Sequence, residues 1–220
     1  MAKKPRQVGT RGQSSRSAGL RHLKPVPATS RPGVPTFEEV TEALLSDRHR
    51  LAIARSAARM LADPTDEPSR ANHAIALYQA DRFAEAAPMF ERLIEQLGPG
   101  AIDAVPLFFS LGYCRLQLGD PRGSLVATTT FLDRGNELNP LYLDGLENTA
   151  AAWDQLGAKL ESRQLSQDVA WQRGVQEGLQ GGRFPNMGAW PRRKVIETSF
   201  RVLGVKAKAR RARRCKWLVD

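Results

Sequence analysis

The sequence predicts an all-α fold arranged as a stack of antiparallel helix pairs, and three observations predict it. Apolar residues recur at three- and four-residue spacing through most of residues 37–180, the period of a helix with one buried face. Short turns of Gly, Asp and Pro interrupt that pattern at regular places, and no run alternates in the manner of a strand. Three of these turns, at Asp81, Gly119 and Gly157, stand 38 residues apart, so the unit is a helix pair repeated about three times.

Order is expected to begin at Thr36, which caps a helix whose third residue is Glu39, with Pro35 just ahead of the cap. This is the Ser/Thr-x-x-Glu capping box, in which each residue satisfies the other's free amide. Val40, Ala43, Leu44, Leu51, Ala54, Ala58 and Leu61 then recur at helical spacing until Asp63-Pro64, giving one long helix or two short ones broken at Ser46-Asp47. Helices follow at about 69–80, 82–97, 104–118, 121–134, 140–156 and 158–180. Gly98-Pro99-Gly100, Gly119-Asp120-Pro121, Gly135 and Gly157 supply the stops and starts. Pro88 falls inside the second of these helices, where a missing N–H is expected to kink it.

Two flanking segments complete the organisation. Residues 1–35 hold five prolines, four glycines and few large apolar side chains, so they are expected to form a disordered basic arm. The helical repeat domain spans 36–180. Residues 181–220 form a linker, a short helix opened by Trp190-Pro191 with Ile196, Phe200 and Leu203 on one face, and a basic tail. The short helix is expected to cap the last repeat. Arg192, Arg193 and Lys194 in its first turn oppose the helix dipole, which points to an anion nearby.

Net charge divides along the same boundaries. The chain totals +10, but residues 1–36 carry +8, residues 37–182 carry −8 and residues 183–220 carry +10. An acidic body therefore lies between two basic ends, each able to contact a polyanion or the body itself. Lys206, Lys208, Arg210, Arg211, Arg213, Arg214 and Lys216 form the densest run, without a clean helical stripe. Charge without a fixed face suits phosphate neutralisation better than base reading.

The intra-pair turns fall inside motifs that resemble the tetratricopeptide repeat family over roughly residues 68–170. Phe83-x-x-Ala86-x-x-x-Phe90 resembles that family's second-helix series, and Phe108-x-x-Leu111-Gly112 followed by Gly119-Asp120 resembles its first helix and turn. The third unit, with Ala150, Trp153 and Gly157, is a weaker likeness, and Ser124 and Ser162 stand where alanine is expected. The resemblance implies that Ala74, Gly112, Ala150 and Ala86 mark close helix contacts. It also implies a groove lined by the first helix of each pair, here Ile75, Tyr78, Phe109, Tyr113, Leu116, Asp144, Glu147 and Asp154. Such a groove favours a ligand with an apolar anchor and positive charge. It lacks the Lys, Arg and Asn set with which some family members hold a terminal carboxylate.

Several functions are set aside by what the sequence lacks. There is no Gly-rich phosphate loop, nucleophile elbow or His-Glu-x-x-His, and the two cysteines and three histidines are scattered. No catalytic residue, cofactor, metal or small-molecule substrate is therefore expected. Cys215, set among cations, has surroundings that favour a thiolate. No apolar stretch is long enough to span a membrane and no secretory signal opens the chain, so a cytoplasmic location is expected. The Arg- and Ser-rich start also fits an organelle transit peptide, although its prolines spoil an amphipathic helix. The leading expectation is a non-catalytic module that binds a protein or peptide in the groove. The other is a nucleic-acid-associated protein whose repeats are only a scaffold.

Overall fold

The computed structural model describes residues 33–176 and 190–204, and the chain forms a series of helices within them. In chain order they are α1 Phe37–Leu45, α2 His49–Ala62, α3 Glu67–Gln79, α4 Phe83–Leu97, α5 Val105–Gln117, α6 Pro121–Arg134, α7 Tyr142–Gln155, α8 Lys159–Gln176 and α9 Arg192–Val202. A short 3₁₀ turn, Ile102–Ala104, precedes α5. Among the described residues there is no strand. From α1 to α8 each helix packs on the next in sequence, which is the contact order of stacked helix pairs.

The capping box at the start of α1 forms as expected. Thr36 N–H donates to Glu39 Oε2 at 2.7 Å, and Glu39 N–H donates to Thr36 Oγ1 at 3.2 Å. Val40, Ala43 and Leu44 are then buried.

One turn geometry organises the whole stack. Asp81, Gly119 and Gly157 each take a left-handed backbone, with φ of 58°, 77° and 88°, and Asp47 does the same at 54°. In all four turns the amide after that residue reaches back to the preceding helix: Arg48 to Ala43, Arg82 to Leu77, Asp120 to Arg115 and Ala158 to Trp153, at 2.8–3.0 Å. This six-to-one closure satisfies a carbonyl at the helix end and turns the chain back on itself. Among the described residues the stack holds four helix pairs, with α1/α2 ahead of the three marked by the 38-residue spacing.

Glycine and alanine let the two helices of a pair approach. A methyl placed on Gly112 of α5 would lie 2.6 Å from Thr128 Cγ2 and 3.2 Å from the Thr128 amide nitrogen of α6. Ala74, Ala86 and Ala150 are buried at the matching registers. Phe131 of α6 lies 5.4 Å from the Phe109 ring within its own pair, and towards the next pair it fills the space that a side chain at Gly145 of α7 would need. Pro88 does not break its helix. It sits on the exposed side of a continuous α4, and Ala84, whose carbonyl loses its partner there, is also exposed to water.

α2 turns a different face inward from the one its apolar pattern suggests. Ala52 and Ser56 are buried, whereas Leu51, Ala54 and Leu61 are exposed. Its orientation is held by Arg59, which donates to Ser69 Oγ at 2.8 Å, to the Pro35 carbonyl at 3.0 Å and to Asp66 Oδ2 at 2.8 Å. Ser56 Oγ lies within hydrogen-bond reach of the Ala52 carbonyl at 2.6 Å and of His73 Nδ1 of α3 at 2.8 Å.

Burial, reinforced by the charge of Arg82 and opposed by Glu85, holds His73 below the usual histidine value. The unfolded chain then takes up the proton first as pH falls below about 6.5. Stability supplied by neutral His73 is complete above that value and is lost as the pH falls. The thermal midpoint should drop between pH 7.5 and 5.5, and the drop should be shallower in His73→Gln. Equal slopes in the two proteins would show that His73 does not contribute.

α9 packs on α6 and α7, so it covers the last two pairs rather than only the final one. Val195, Ile196, Ser199 and Phe200 are buried beneath it, and the Trp190 and Trp153 rings meet at 5.7 Å. The three cations of its first turn find partners inside the chain. Arg192 donates to the Asp133 carbonyl at the end of α6, Arg193 pairs with Glu197 at 2.8 Å, and Lys194 Nζ stands 3.9 Å from the Trp190 ring centre. These contacts account for the cations without an added anion.

Candidate functional site

The first helices α3, α5 and α7 carry the residues assigned to a groove, and the structure separates them into two groups. Ile75, Tyr78, Phe109 and Leu116 are buried, each 8% exposed or less. Tyr113 is half-buried, and its ring meets Tyr78 at 5.5 Å and Phe83 at 5.6 Å in edge-to-face contacts. These aromatics join neighbouring pairs, so most of their surface is spent on packing.

The acidic group lies on α7 and is partly engaged. Arg173 of α8 holds Glu147 with two contacts of 3.0 Å and also pairs with Asp144. Glu147 and Asp154 are exposed. Positive charge for these carboxylates is thus supplied first from within the chain, which leaves Asp154 as the open acid of the set.

Aligning the chain on its turns brings out a polar register. Nine residues before the left-handed position stand Asn72, Ser110 and Asn148, and two residues before it stand Gln79, Gln117 and Gln155. The Asn72 side chain and the Asn148 Nδ2 and Gln79 Oε1 atoms are buried without a hydrogen-bond partner. Gln117 and Gln155 are exposed. The first helices therefore carry asparagines and glutamines beside the residues assigned to the groove. The signal was present in the sequence as Gln two residues before the turns at Asp81, Gly119 and Gly157.

A second polar feature lies at the other end of the stack. Asp168 of α8 is buried and accepts from Trp190 N–H and from Gln172 Nε2, both at 2.9 Å. It serves to seat the start of α9. No periodicity marks it, because a single acid in a polar helix reads as solvated.

Cys114 is buried on α5, and loss of solvent pushes its thiol up to about 12, far from a reactive thiolate. Among the described residues no three His, Cys, Asp or Glu side chains gather as a metal site would require. No helix there is long and apolar enough to cross a membrane. Cys215 and the cations Lys206, Lys208, Arg210, Arg211, Arg213, Arg214 and Lys216 lie outside the described residues, as do most of the basic arm and residues 177–189.

With this geometry in place, one comparison is informative. Residues 30–100 match the family described as bacterial transcriptional activator domain. The match runs from just ahead of α1 to just past α4, about a third of the chain, and takes in the first pair as well as the second. No curated protein and no solved structure matches. The first two pairs thus resemble a helical domain found in transcriptional activators.

Proposed function

We propose that this chain is a non-catalytic interaction module, similar to a tetratricopeptide-type receptor, that holds a protein or peptide partner along its first helices. The amide register carries this reading. Each side-chain amide offers one acceptor and two donors, the groups needed to pair with a peptide's own N–H and C=O. Gln117 and Gln155 are exposed, where an extended ligand backbone can meet their amides. Asp154 and the exposed part of Glu147 favour positive charge at one end of such a ligand. The family match supports a setting in transcriptional regulation.

The test is recovery of bound protein from cells by the tagged full-length chain, with and without nuclease. Replacing Asn148, Gln117 and Gln155 together by alanine should remove the nuclease-resistant bands while leaving the thermal midpoint nearly unchanged. Bands that persist at full strength would sink the groove reading.

A second reading is favoured by the basic ends together with the transcriptional description of the matched family. Here the repeats are a scaffold and the ends neutralise phosphates. If about six phosphates are engaged, log affinity for duplex DNA should fall with log salt at a slope near −5. Glutamine at all seven cations between Lys206 and Lys216 should flatten that slope. Absence of DNA or RNA binding at low salt by the full-length chain would exclude this reading.

A further inference from the structure

The fold shows on α6 what the outer face of a second helix accepts. Arg122, three residues past the left-handed turn, donates to the Leu203 carbonyl at the end of α9 at 3.1 Å. Asp133, fourteen past the turn, accepts from Arg192 at the start of α9. α9 thus runs antiparallel along a stripe at turn plus 3, 7, 10, 11 and 14. On α4 the same stripe is Ala84, Pro88, Glu91, Arg92 and Glu95, which is largely polar.

On α2 it is Arg50, Ala54, Ala57, Ala58 and Leu61. Arg50, Ala54 and Leu61 are exposed, Leu61 at 85%, and Ala57 and Ala58 are half-buried. α2 is therefore the second helix that combines an arginine at the α6 position with an apolar stripe, yet among the described residues no helix lies on it. Small side chains at the centre permit close helix approach, as Gly112 permits it inside a pair.

We propose that this face of α2 docks an amphipathic helix of a partner protein, acidic along its flanks, running antiparallel to α2 with its C-terminal carbonyls at Arg50. Charge selects the occupant. From Arg48 to Ala62 the segment has four arginines and no acid. Arg48 and Arg50 are exposed at its start. The chain's own arm and tail are basic, and a second copy of α2 would add four more arginines and no acid, so each is disfavoured by like charge. An acidic helix meets no such penalty. The surface lies on the second helices and stands independently of the groove on the first.

The test uses a fluorescein-labelled synthetic helix of about five turns with a Leu/Ala stripe and glutamate flanks, titrated against the full-length chain. A second peptide with lysine flanks is the control. The acidic peptide should bind at least about tenfold more tightly than the lysine one. Leu61→Glu and Ala54→Glu, both at exposed positions, should each weaken it about tenfold or more with the thermal midpoint retained, and Arg50→Glu should weaken it severalfold. No binding, or binding indifferent to all three substitutions, overturns the proposal. A dimer in sedimentation that Leu61→Glu dissociates overturns it in favour of a second copy. Tighter peptide binding on deletion of residues 1–32 overturns it in favour of the arm as occupant.

Discussion

Trp153→Ala is expected to cost about 3–5 kcal/mol of unfolding free energy, the range for deleting a large buried aromatic. Trp153 is fully buried on α7, so truncation removes its contacts and leaves a cavity that helices held on several sides cannot close. The loss extends beyond α7, because its ring is the surface against which Trp190 stacks at 5.7 Å. Trp190 in turn places its amide on Asp168 and its ring under Lys194. Without that stack, α9 loses its first anchor and Asp168 faces a loosened lid. The measurement is urea denaturation followed by circular dichroism, with acrylamide quenching of the tryptophans. In the variant, Trp190 should be quenched more readily than its burial in the parent predicts. Trp153→Phe keeps most of the apolar volume and should cost roughly half as much. A loss below about 1 kcal/mol in Trp153→Ala would mean that the α7–α9 junction does not support the stack.

The arrangement of pairs could be read from the sequence where glycine or a capping residue forces the backbone. Gly119 and Gly157 fill left-handed positions that most residues avoid, and Asp81 sits at the same spacing. The first pair stayed open between one long helix and two broken at Ser46-Asp47, because Asp47 is not glycine and lies 34 residues before Asp81, whereas the next two turns are spaced at 38. The difference comes mainly from connections: four residues, 63–66, join α2 to α3, while seven, 98–104, join α4 to α5. An aspartate can occupy that backbone because its short side chain tolerates it, so it is the hydrogen bond from Arg48 to Ala43 that decides between the two readings.

The facing of helices was less legible than their existence. In α2, alanines dominate both sides, and alanine carries little information about burial. What decides the matter is long-range: Arg59 must reach Pro35, Asp66 and Ser69, and that requirement turns Ala52 and Ser56 inward. The aromatic side of the groove was ambiguous for a related reason. Tyr78 and Tyr113 point from neighbouring first helices and are long enough to meet across the gap, so the same residues serve as lining and as core. The amides at the register of Asn72 and Gln79 carry no apolar signal and emerge only after the turns are superimposed.

Gly112→Val should be the most damaging single change on the surface shared by α5 and α6, with a loss of about 2–3 kcal/mol from overpacking. Even a methyl at this position would stand 2.6 Å from Thr128 Cγ2 and 3.2 Å from a backbone nitrogen, and the backbone cannot move without shifting α6 as a whole. Gly112→Ala divides the causes. Alanine gains about 1 kcal/mol of helix propensity over glycine, which offsets part of the clash, so its net loss should be smaller than that of valine. Thr128→Ser tests the geometry directly. Serine keeps the hydroxyl that donates to the Ser124 carbonyl at 2.9 Å and removes the methyl group nearest the added carbon. Urea midpoints of the four proteins form a double-mutant cycle. The expected result is that Gly112→Ala costs less in the Thr128→Ser background than in the parent. Strictly additive midpoints would show that the close approach of α5 and α6 is set by the backbone alone, and that the small residue at this register answers to the Ser124 carbonyl and Thr128 amide rather than to the threonine methyl.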